Sequence, residues 1–312
     1  MPATNDNVKL ILCSDIHLSE RPPVFRSAEP DWFEAMARPL RQLREEANLL
    51  DVPIVCCGDI FDKWNPSPAL INFAIEELPT MYAVPGQHDL PHHRLEDIKS
   101  TAYWTLVETG NIINLEYEKP VEVNDCFLYG FPWGSELKTC ENDLENLCLH
   151  VAVVHKYIWD RPENSFPGAN PLDRTGLHSK GCWQSQLQGH NVMAFGDNHK
   201  GFVQNMQAGS TILNCGGFMR RSKDEIEYTP AIGLVDFGGK VERWALDCSE
   251  DKYLEQESCL EITDEELNLT EFISELKQLG SDELDFKAAV ERYCEANQVD
   301  GETRKIVMGA IA

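Results

Sequence analysis

Short apolar runs alternate with amphipathic stretches along the first 246 residues of the chain. The runs at 8–13, 53–57 and 80–84 are apolar at nearly every position, a pattern typical of strands that are buried on both faces. Between them, apolar residues recur at helical spacing over 32–50 and 68–78. Further strands are predicted at 126–131, 150–155, 192–196, 211–215, 231–237 and 240–246. This alternation predicts an α/β fold in which two packed sheets lie between helices.

The pattern changes near residue 247, where a polar stretch follows the last predicted strand. Beyond it, apolar residues follow helical spacing in three successive segments, which predicts a small C-terminal helical appendage. Residues 247–312 contain 18 acidic and 6 basic residues, a net charge of −12. We therefore expect two regions, a main domain at 1–246 and an acidic helical C-terminal region at 247–312.

The overall charge limits the partners that the surface attracts. Asp and Glu number 52 against 27 Lys and Arg, a net charge of −25, so the surface repels nucleic acid and anionic membranes at long range. No apolar run approaches the ~20 residues that a membrane span requires, and the first residues lack the layout of a signal peptide. The 11 cysteines include no CxxC pair and are typical of reduced thiols. These features predict a cytoplasmic protein that does not associate with membranes.

Polar side chains follow five of the predicted strands at the point where each strand ends. In open α/β sheets the ligand site lies at the carboxyl ends of the strands, so these side chains are expected to converge. They are carboxylates, imidazoles and one amide, which bind hard or borderline metal ions, and no thiolate is among them. A carboxylate such as Asp59 can bridge two cations that lie ~3.5–4 Å apart in a two-metal site. The candidate ligands are Asp15, His17, Asp59, Gln87, His155, Asp197 and His199.

The motifs occur in the order SDIH, GDIFD, GQHD, a single His and GDNH, and this ordered set resembles the calcineurin-like metallophosphoesterases over about residues 8–246. The resemblance implies a two-sheet metallophosphoesterase sandwich flanked by helices. It implies a first metal ion held by Asp15, His17, Asp59 and His199. It implies a second metal ion held by Asp59, Gln87, His155 and Asp197. The catalytic residue that it implies is His88, which matches the family's histidine that protonates the leaving oxygen.

Two positions depart from the family's pattern. Gln87 stands where the family usually has Asn, and Asp197 stands where it usually has the first His of Gly-His-x-His. The amide still offers a carbonyl oxygen on a longer arm, whereas the carboxylate replaces a neutral nitrogen with an anionic oxygen, or recedes to hold a metal-bound water. Both changes favour hard cations, so we expect two divalent ions that are Mn²⁺, with Mg²⁺ as the alternative, rather than Zn²⁺.

Within that superfamily, the segment from Asn214 to Arg221 and the helical tail make the chain most similar to SbcD-like DNA-repair nucleases and their phage-encoded relatives. This resemblance implies a dinuclear-metal-dependent phosphodiesterase that cuts DNA as an exo/endonuclease, with a metal-bridging hydroxide as the nucleophile. It implies DNA as a partner and an SbcC-like coiled-coil ATPase subunit that docks on the tail. It leaves a homodimer open, and it places a phage-encoded chain in the host cytoplasm.

Two other functions remain open from the sequence. The acidic surface and the short tail favour a phosphatase or phosphodiesterase that acts on a small nucleotide or a phosphoprotein. The third hypothesis is a non-catalytic binding subunit whose altered ligands no longer hold two metal ions.

Several residues next to the motifs are predicted to support the ligands or to form a substrate rim. Asp62 and Asp89 are expected to orient ligand imidazoles, although Asp89 could equally cap a helix. The basic side chains would give local positive charge suited to phosphate, unless they point away into solvent. Trp159 is the first candidate for stacking on a base. The predicted set comprises Asp62, Asp89, His93, Arg94, Lys156, Lys200, Arg220 and Arg221.

Overall fold

A computed structural model describes residues 7–140, 148–165, 174–179, 181–206 and 209–254. Within these ranges twelve strands form two six-stranded sheets, and three α-helices lie between them in the sequence. The helices are α1 (Trp32–Leu50), α2 (Pro68–Glu77) and α3 (Ala102–Glu108). The strands are β1 (Val8–Cys13), β2 (Ile54–Cys56), β3 (Met81–Ala83), β4 (Ile112–Asn114), β5 (Val121–Val123), β6 (Cys126–Phe131), β7 (Leu149–His155), β8 (Val192–Gly196), β9 (Phe202–Asn205), β10 (Thr211–Asn214), β11 (Ala231–Asp236) and β12 (Val241–Ala245).

Both sheets are mixed. The first has the order β12-β11-β1-β2-β3-β4, in which β1 to β4 are parallel and β11 runs antiparallel to both of its neighbours. The second has the order β5-β6-β7-β8-β10-β9, in which the four central strands are parallel and the two edge strands are antiparallel. The parallel strands of each sheet therefore end at one common edge.

The core between the sheets follows from the alternation of side chains along each strand. In β1, Leu10 and Leu12 belong to the same buried cluster as Val153 of β7 and Ala194 of β8. The intervening Ile11 faces the other way and belongs to a second cluster, which includes residues of all three helices. Because both faces of β1 are covered, its sequence is apolar at every position but Lys9, as the pattern predicted.

The helices cover only the outer face of the first sheet. On the outer face of the second sheet, Val154 and Phe195 pack with Ile158, Leu177 and Leu187, which lie in irregular chain between β7 and β8. The predicted α/β class with two packed sheets is confirmed, and within the described residues its flanking helices lie on one side. Four short elements, α3, β4, β5 and β9, were not predicted, because three to seven residues carry little periodicity.

The described part of the chain ends at Leu254, so the predicted acidic helices beyond it lie outside the described residues. The division into 1–246 and 247–312 therefore stays a prediction. Residues just after 246 contact helix α1, since the backbone N of Asp247 donates to Gln42 Oε1 at 2.7 Å. No helix in the described ranges has both the length and the apolar character that a membrane span would need.

A buried carboxylate joins this last described segment to the start of α1. Glu29 Oε1 accepts hydrogen bonds from Arg26 Nη2 at 2.6 Å, from Arg38 Nη2 at 2.9 Å and from the backbone N of Lys252 at 2.8 Å. Burial raises the pKa of Glu29, but the three hydrogen bonds outweigh burial and leave the pKa below its usual value. The ionised carboxylate therefore stabilises the folded state.

Replacing Glu29 with glutamine is expected to lower the free energy of unfolding near neutral pH by about 1–3 kcal/mol, because two charge-assisted hydrogen bonds are lost. A group whose folded pKa is depressed stabilises above its unfolded pKa, and this contribution disappears as the pH falls through the folded pKa. Urea unfolding of both proteins from neutral to acidic pH measures the difference, which should shrink in acid. Glu34→Gln, at an exposed pair with Arg41, is the matched control and should change little. A difference that is constant with pH would contradict the prediction.

Candidate metal centre

The loops that follow β1 and β2 run side by side and bring three candidate ligands together. The backbone N of Asp15 donates to the carbonyl of Gly58 at 3.0 Å, and the backbone N of His17 donates to the carbonyl of Asp59 at 3.0 Å. These bonds continue the pairing of β1 with β2 past the ends of the strands. Asp15, His17 and Asp59 are all buried at this edge of the first sheet.

The backbone of this site adopts a conformation that is uncommon for residues with a side chain. The angle φ is +53° at Asp15, +50° at His17, +56° at Asp59 and +87° at Asp197. Non-glycine residues in this left-handed region cost of order 1–3 kcal/mol each and concentrate at functional sites. The loops turn sharply enough to point four polar side chains at one place.

Two glycines make room for the ligands. A Cβ atom on Gly86 would lie 2.0 Å from Asp59 Oδ1, and one on Gly58 would lie 2.4 Å from His155 Nδ1. Gly58 also has a φ of +100°, which other residues rarely adopt. The Gly-Asp and Pro-Gly pairs in the motifs therefore follow from close packing around Asp59 and His155.

The structure places donor atoms of seven titratable residues in three overlapping clusters. Within each cluster the donor atoms lie within 4.8 Å of one another, and the clusters are Asp15 with His17 and His199, Asp15 with Asp59 and His155, and His17 with Asp62 and His88. Asp59 Oδ2 lies 3.4 Å from His155 Nε2 and 3.7 Å from His17 Nε2. His17 Nε2 lies 3.1 Å from His199 Nε2. One oxygen of Asp59 thus lies between ligands that were assigned to different ions.

The two residues that depart from the family pattern contact each other. Gln87 Nε2 donates to Asp197 Oδ1 at 2.7 Å, while Gln87 Oε1 lies 2.6 Å from His155 Nε2. The backbone N of Asp197 donates to Asp15 Oδ1 at 3.1 Å. The amide oxygen of Gln87 therefore faces the site, and the Asp197 carboxylate orients that amide. Asp197 belongs to none of the three clusters of described His, Cys, Asp and Glu residues, and its role as a ligand stays a prediction.

The electrostatics of the buried groups fit a bound cation. Burial raises the pKa of the Asp15 carboxyl to about 6, although His199 and His155 partly offset it. Burial would also raise the pKa of Asp59, but His155 and His17 outweigh it and hold that pKa well below its usual range. Burial lowers the pKa of His155, yet Asp59 outweighs burial and raises it to about 10. Buried carboxylates thus attract positive charge to this point, and divalent cations supply it while leaving the imidazoles neutral, as ligation requires.

His88 lies beside the ligands on a half-buried position. Its backbone N donates to Asp59 Oδ1 at 2.9 Å, and its ring lies edge-on to His17 with 5.0 Å between the ring centroids. His88 Nδ1 lies 2.9 Å from the carbonyl oxygen of Asp62, which assigns the proton to Nδ1 by hydrogen bonding. The second ring nitrogen, Nε2, is then the atom that can exchange a proton with substrate.

Arg221, a basic residue of the predicted rim, and Glu225, which the sequence did not indicate, support the ligands of the site. Arg221 Nη2 donates to Asp62 Oδ1 at 2.9 Å, and Arg221 Nη1 donates to the carbonyl of His17. Glu225 Oε1 lies 3.4 Å from His199 Nδ1, a carboxylate–imidazole contact that orients a ligand ring. The signal that could have indicated Glu225 is the Ser-x-x-Glu capping box that starts at Ser222.

The structure separates the predicted supporting residues into those near the site and those away from it. Asp62 contacts His88 and Arg221, whereas Asp89 neither touches an imidazole nor caps a helix. The Asp89 carboxylate instead accepts the backbone N–H groups of Ile60, Phe61 and Gly86 and joins the loops after β2 and β3. His93 Nδ1 lies 3.1 Å from the carbonyl of Gln87, one residue before His88.

The predicted basic rim is only partly formed. Arg220 donates to the carbonyl of Tyr228 and to Tyr253 Oη, so it lies away from the ligands, and its neighbour Arg221 reaches them instead. Arg94 is exposed near Glu96, and Lys200 Nζ donates to the carbonyl of Glu163. Lys156 lines a cavity that also contacts Asp197.

Comparison with protein families identifies the family to which this fold belongs. The profile described as Calcineurin-like phosphoesterase matches residues 8–165, which is 158 of the 312 residues. The chain belongs to the calcineurin-like phosphoesterase family. Membership confirms the predicted metallophosphoesterase fold and the predicted class of enzyme, a metal-dependent phosphoesterase. The assignment of individual ligands to the two ions stays a prediction.

Two solved structures are distantly similar to this calcineurin-like phosphoesterase. One is described provisionally as a 5′-nucleotidase from Staphylococcus aureus in complex with alpha-ketoglutarate; it is 14% identical, the match covers 78% of this chain and 54% of that chain, and the TM-score is 0.43. The chain thus spans about half the length of that protein. A second solved structure is also 14% identical, with 77% of this chain and 100% of that chain covered at a TM-score of 0.37. No curated protein matches the chain.

Proposed function

We propose that this calcineurin-like phosphoesterase is an SbcD-like nuclease that hydrolyses phosphodiester bonds in DNA with two Mn²⁺ ions, or Mg²⁺ as the alternative. The observation that carries the proposal is that two cavities adjoin each other at Tyr157 and Asp197, beside the candidate metal centre. They have volumes of about 250 and 310 Å³, and both border Tyr157 and Asp197 but share no other lining residue. A phosphodiester has a substituent on each side of its phosphorus, so two adjoining cavities suit a diester better than a monoester.

The residues of the site would have separate roles in the reaction. When bound, two divalent cations would polarise the phosphoester and supply a nucleophile from water. Asp15, His17, Asp59 and His199 would hold one ion, and Asp59, Gln87, His155 and Asp197 the other. Arg221 holds Asp62, whose carbonyl oxygen accepts a hydrogen bond from His88 Nδ1. A protonated His88 can then give its Nε2 proton to the departing oxygen.

A small nucleotide is the second candidate substrate, favoured by charge and size. The chain carries a net charge of −25, which disfavours a polyanion at long range. The smaller cavity, about 250 Å³, has room for a single base and not for a longer stretch of a strand. Chromogenic monoesters and diesters, assayed beside single- and double-stranded DNA, separate the two candidates. Hydrolysis of the monoester alone would overturn the nuclease proposal.

The nuclease proposal brings partners with it. An SbcC-like coiled-coil ATPase would dock on the predicted tail, and the chain could act as a homodimer. Co-purification of the full chain with a coiled-coil ATPase, and its mass in solution, are the direct tests of these two partners.

Removing the metal ions is expected to abolish hydrolysis. After dialysis against a chelator, activity should fall to background and should return with Mn²⁺ or Mg²⁺ but less with Zn²⁺, because the donors around Gln87 and Asp197 are oxygens. Rates on one diester with each ion added back give the ranking. Undiminished turnover in excess chelator would contradict the requirement for metal, and full activity with Zn²⁺ alone would contradict the preference for hard cations.

A further inference from the structure

The smaller of the two cavities is lined mainly by aromatic side chains, and we call it the aromatic cavity. It is bordered by Trp133, Tyr157, Trp183, Lys156, Thr175 and Asp197, together with Gly134. The ring of Trp133 lies edge-on to the ligand His155, with 6.3 Å between the ring centroids. The aromatic cavity therefore adjoins the metal centre on the side of His155 and Asp197.

Hydrogen bonds hold the walls of the aromatic cavity in place. The backbone N of Trp133 donates to the carbonyl of Pro85, which fixes Trp133 to the loop that carries Gln87 and His88. On the other wall, the backbone N of Trp183 donates to the carbonyl of Arg174 at 3.1 Å. A site with rigid walls loses little conformational freedom when a ligand binds.

Trp159, the tryptophan that the sequence favoured for stacking, supports this wall and is itself buried. Its indole Nε1 donates to Thr175 Oγ1 at 3.0 Å, and its side chain is only 5% exposed. Trp159 therefore positions the segment around Thr175, and the rings available to a ligand are those of Trp133 and Trp183.

Lys156 lines the aromatic cavity, and Arg174 lies over the ring of Trp183, which is part of its wall. Lys156 Nζ lies 5.0 Å, and Arg174 Cζ 5.5 Å, from the centroid of the Trp183 ring. Neither side chain forms an ion pair with any acidic group in the part of the chain that the structure describes. The chain has a net charge of −25, yet these two cations have no acidic partner among the described residues and lie beside an indole ring. Such a place suits an anionic ligand that also has a flat ring.

We propose that the aromatic cavity binds one nucleobase of the substrate, stacked against Trp183. The side chains of Lys156 and Arg174, which lie over this ring in the structure, then move to contact the phosphate next to the one at the metal centre. This inference rests on the proposed function, because it names the part of a nucleic acid that the site recognises. A volume of about 250 Å³ suits one base rather than a base pair, so the strand enters with its end unpaired. Stacking on an aromatic ring accepts every base, and recognition should not depend on sequence.

The test compares two short single-stranded DNAs that differ only in whether one end nucleotide carries thymine or is abasic. Each end is modified in turn, and cleavage next to it is measured with Mn²⁺. At one of the two ends, we expect the strand that carries thymine to be cut about 5- to 150-fold faster than the abasic strand. This is the range of rates that stacking of a single base supplies. Trp183→Ala should bring the rate on the thymine strand down to that on the abasic strand, and Trp183→Phe should restore most of the preference. Trp104→Ala, which changes a tryptophan on helix α3, is the matched control and should keep it.

A binding measurement separates this inference from the proposed function. Calorimetry with metal-free protein compares the binding of thymidine 5′-monophosphate with that of deoxyribose 5-phosphate. We expect only thymidine 5′-monophosphate to bind. The Trp183→Ala variant should not bind it. Cleavage of both strands at equal rates, with no binding of thymidine 5′-monophosphate, would overturn the inference and leave the nuclease proposal standing. Binding that depends on Trp183 with no cleavage of either strand would support the aromatic cavity as a base site and overturn the nuclease proposal.

Discussion

Replacing Asp59 with asparagine is expected to lower hydrolysis about 10³-fold or more and to remove metal binding at the same time. Asp59 Oδ2 lies 3.4 Å from His155 Nε2 and 3.7 Å from His17 Nε2, between ligands of both predicted ions. Metal ions stabilise transition-state charge by several kcal/mol, and each ~1.4 kcal/mol is a tenfold change in rate. Calorimetric titration with Mn²⁺ and the rate on a diester measure the two effects.

Asp197→Asn is the matched control for Asp59. The Asp197 carboxylate contacts the amide of Gln87 and belongs to none of the donor clusters among the described residues. We therefore expect this variant to keep the ion near His199 and to weaken only the ion near His155. An Asp59→Asn protein that still binds two ions would show that Asp59 does not bridge them.

Replacing His88 with asparagine is expected to lower the rate about 10²–10⁴-fold while metal binding stays unchanged. An amide in place of the imidazole cannot give a proton to the departing oxygen. The loss should be much smaller on a diester whose leaving group is a 4-nitrophenolate, because an acidic leaving group departs without a proton. Rates on an alkyl and a nitrophenyl diester, with the metal content of each protein, test this prediction.

His92→Asn makes the same chemical change at an exposed histidine four residues along the chain and serves as the control. It should leave both rates unchanged. Equal losses on the two diesters for His88→Asn would remove His88 from the role of general acid. A lower metal content in that variant would show that His88 acts as a ligand.

The central part of the site could be predicted from the order of the motifs along the chain, because the geometry of parallel strands places the residues after them close together. Parallel strands end at a common edge, so the residues just after β1, β2, β3, β7 and β8 had to converge once those strands were recognised. These strands are apolar at nearly every position, which makes their ends easy to locate. The close approach of Asp59 to His17 and His155 follows from that placement.

Features outside the strand ends could not be predicted in the same way. Arg220 and Arg221 are adjacent and chemically identical, and only the course of the chain after Gly216, which has a φ of +83°, determines which one reaches Asp62. Trp159 and Trp183 both lie in long irregular chain, where burial depends on distant packing partners. Sequence patterns report the period of regular elements, and irregular chain has no period.

The left-handed backbone at Asp15, Asp59 and Asp197 has a consequence for how these positions evolve. Glycine adopts such a conformation without steric cost, so at these positions glycine would relieve strain and also remove a carboxylate, one that is buried at Asp15 and Asp59. Variants selected for thermal tolerance alone would therefore drift toward glycine or asparagine here and lose their chemistry. Only selection for turnover keeps aspartate at Asp15, Asp59 and Asp197. Whether a related protein has aspartate at these three positions therefore indicates whether it has remained an active enzyme.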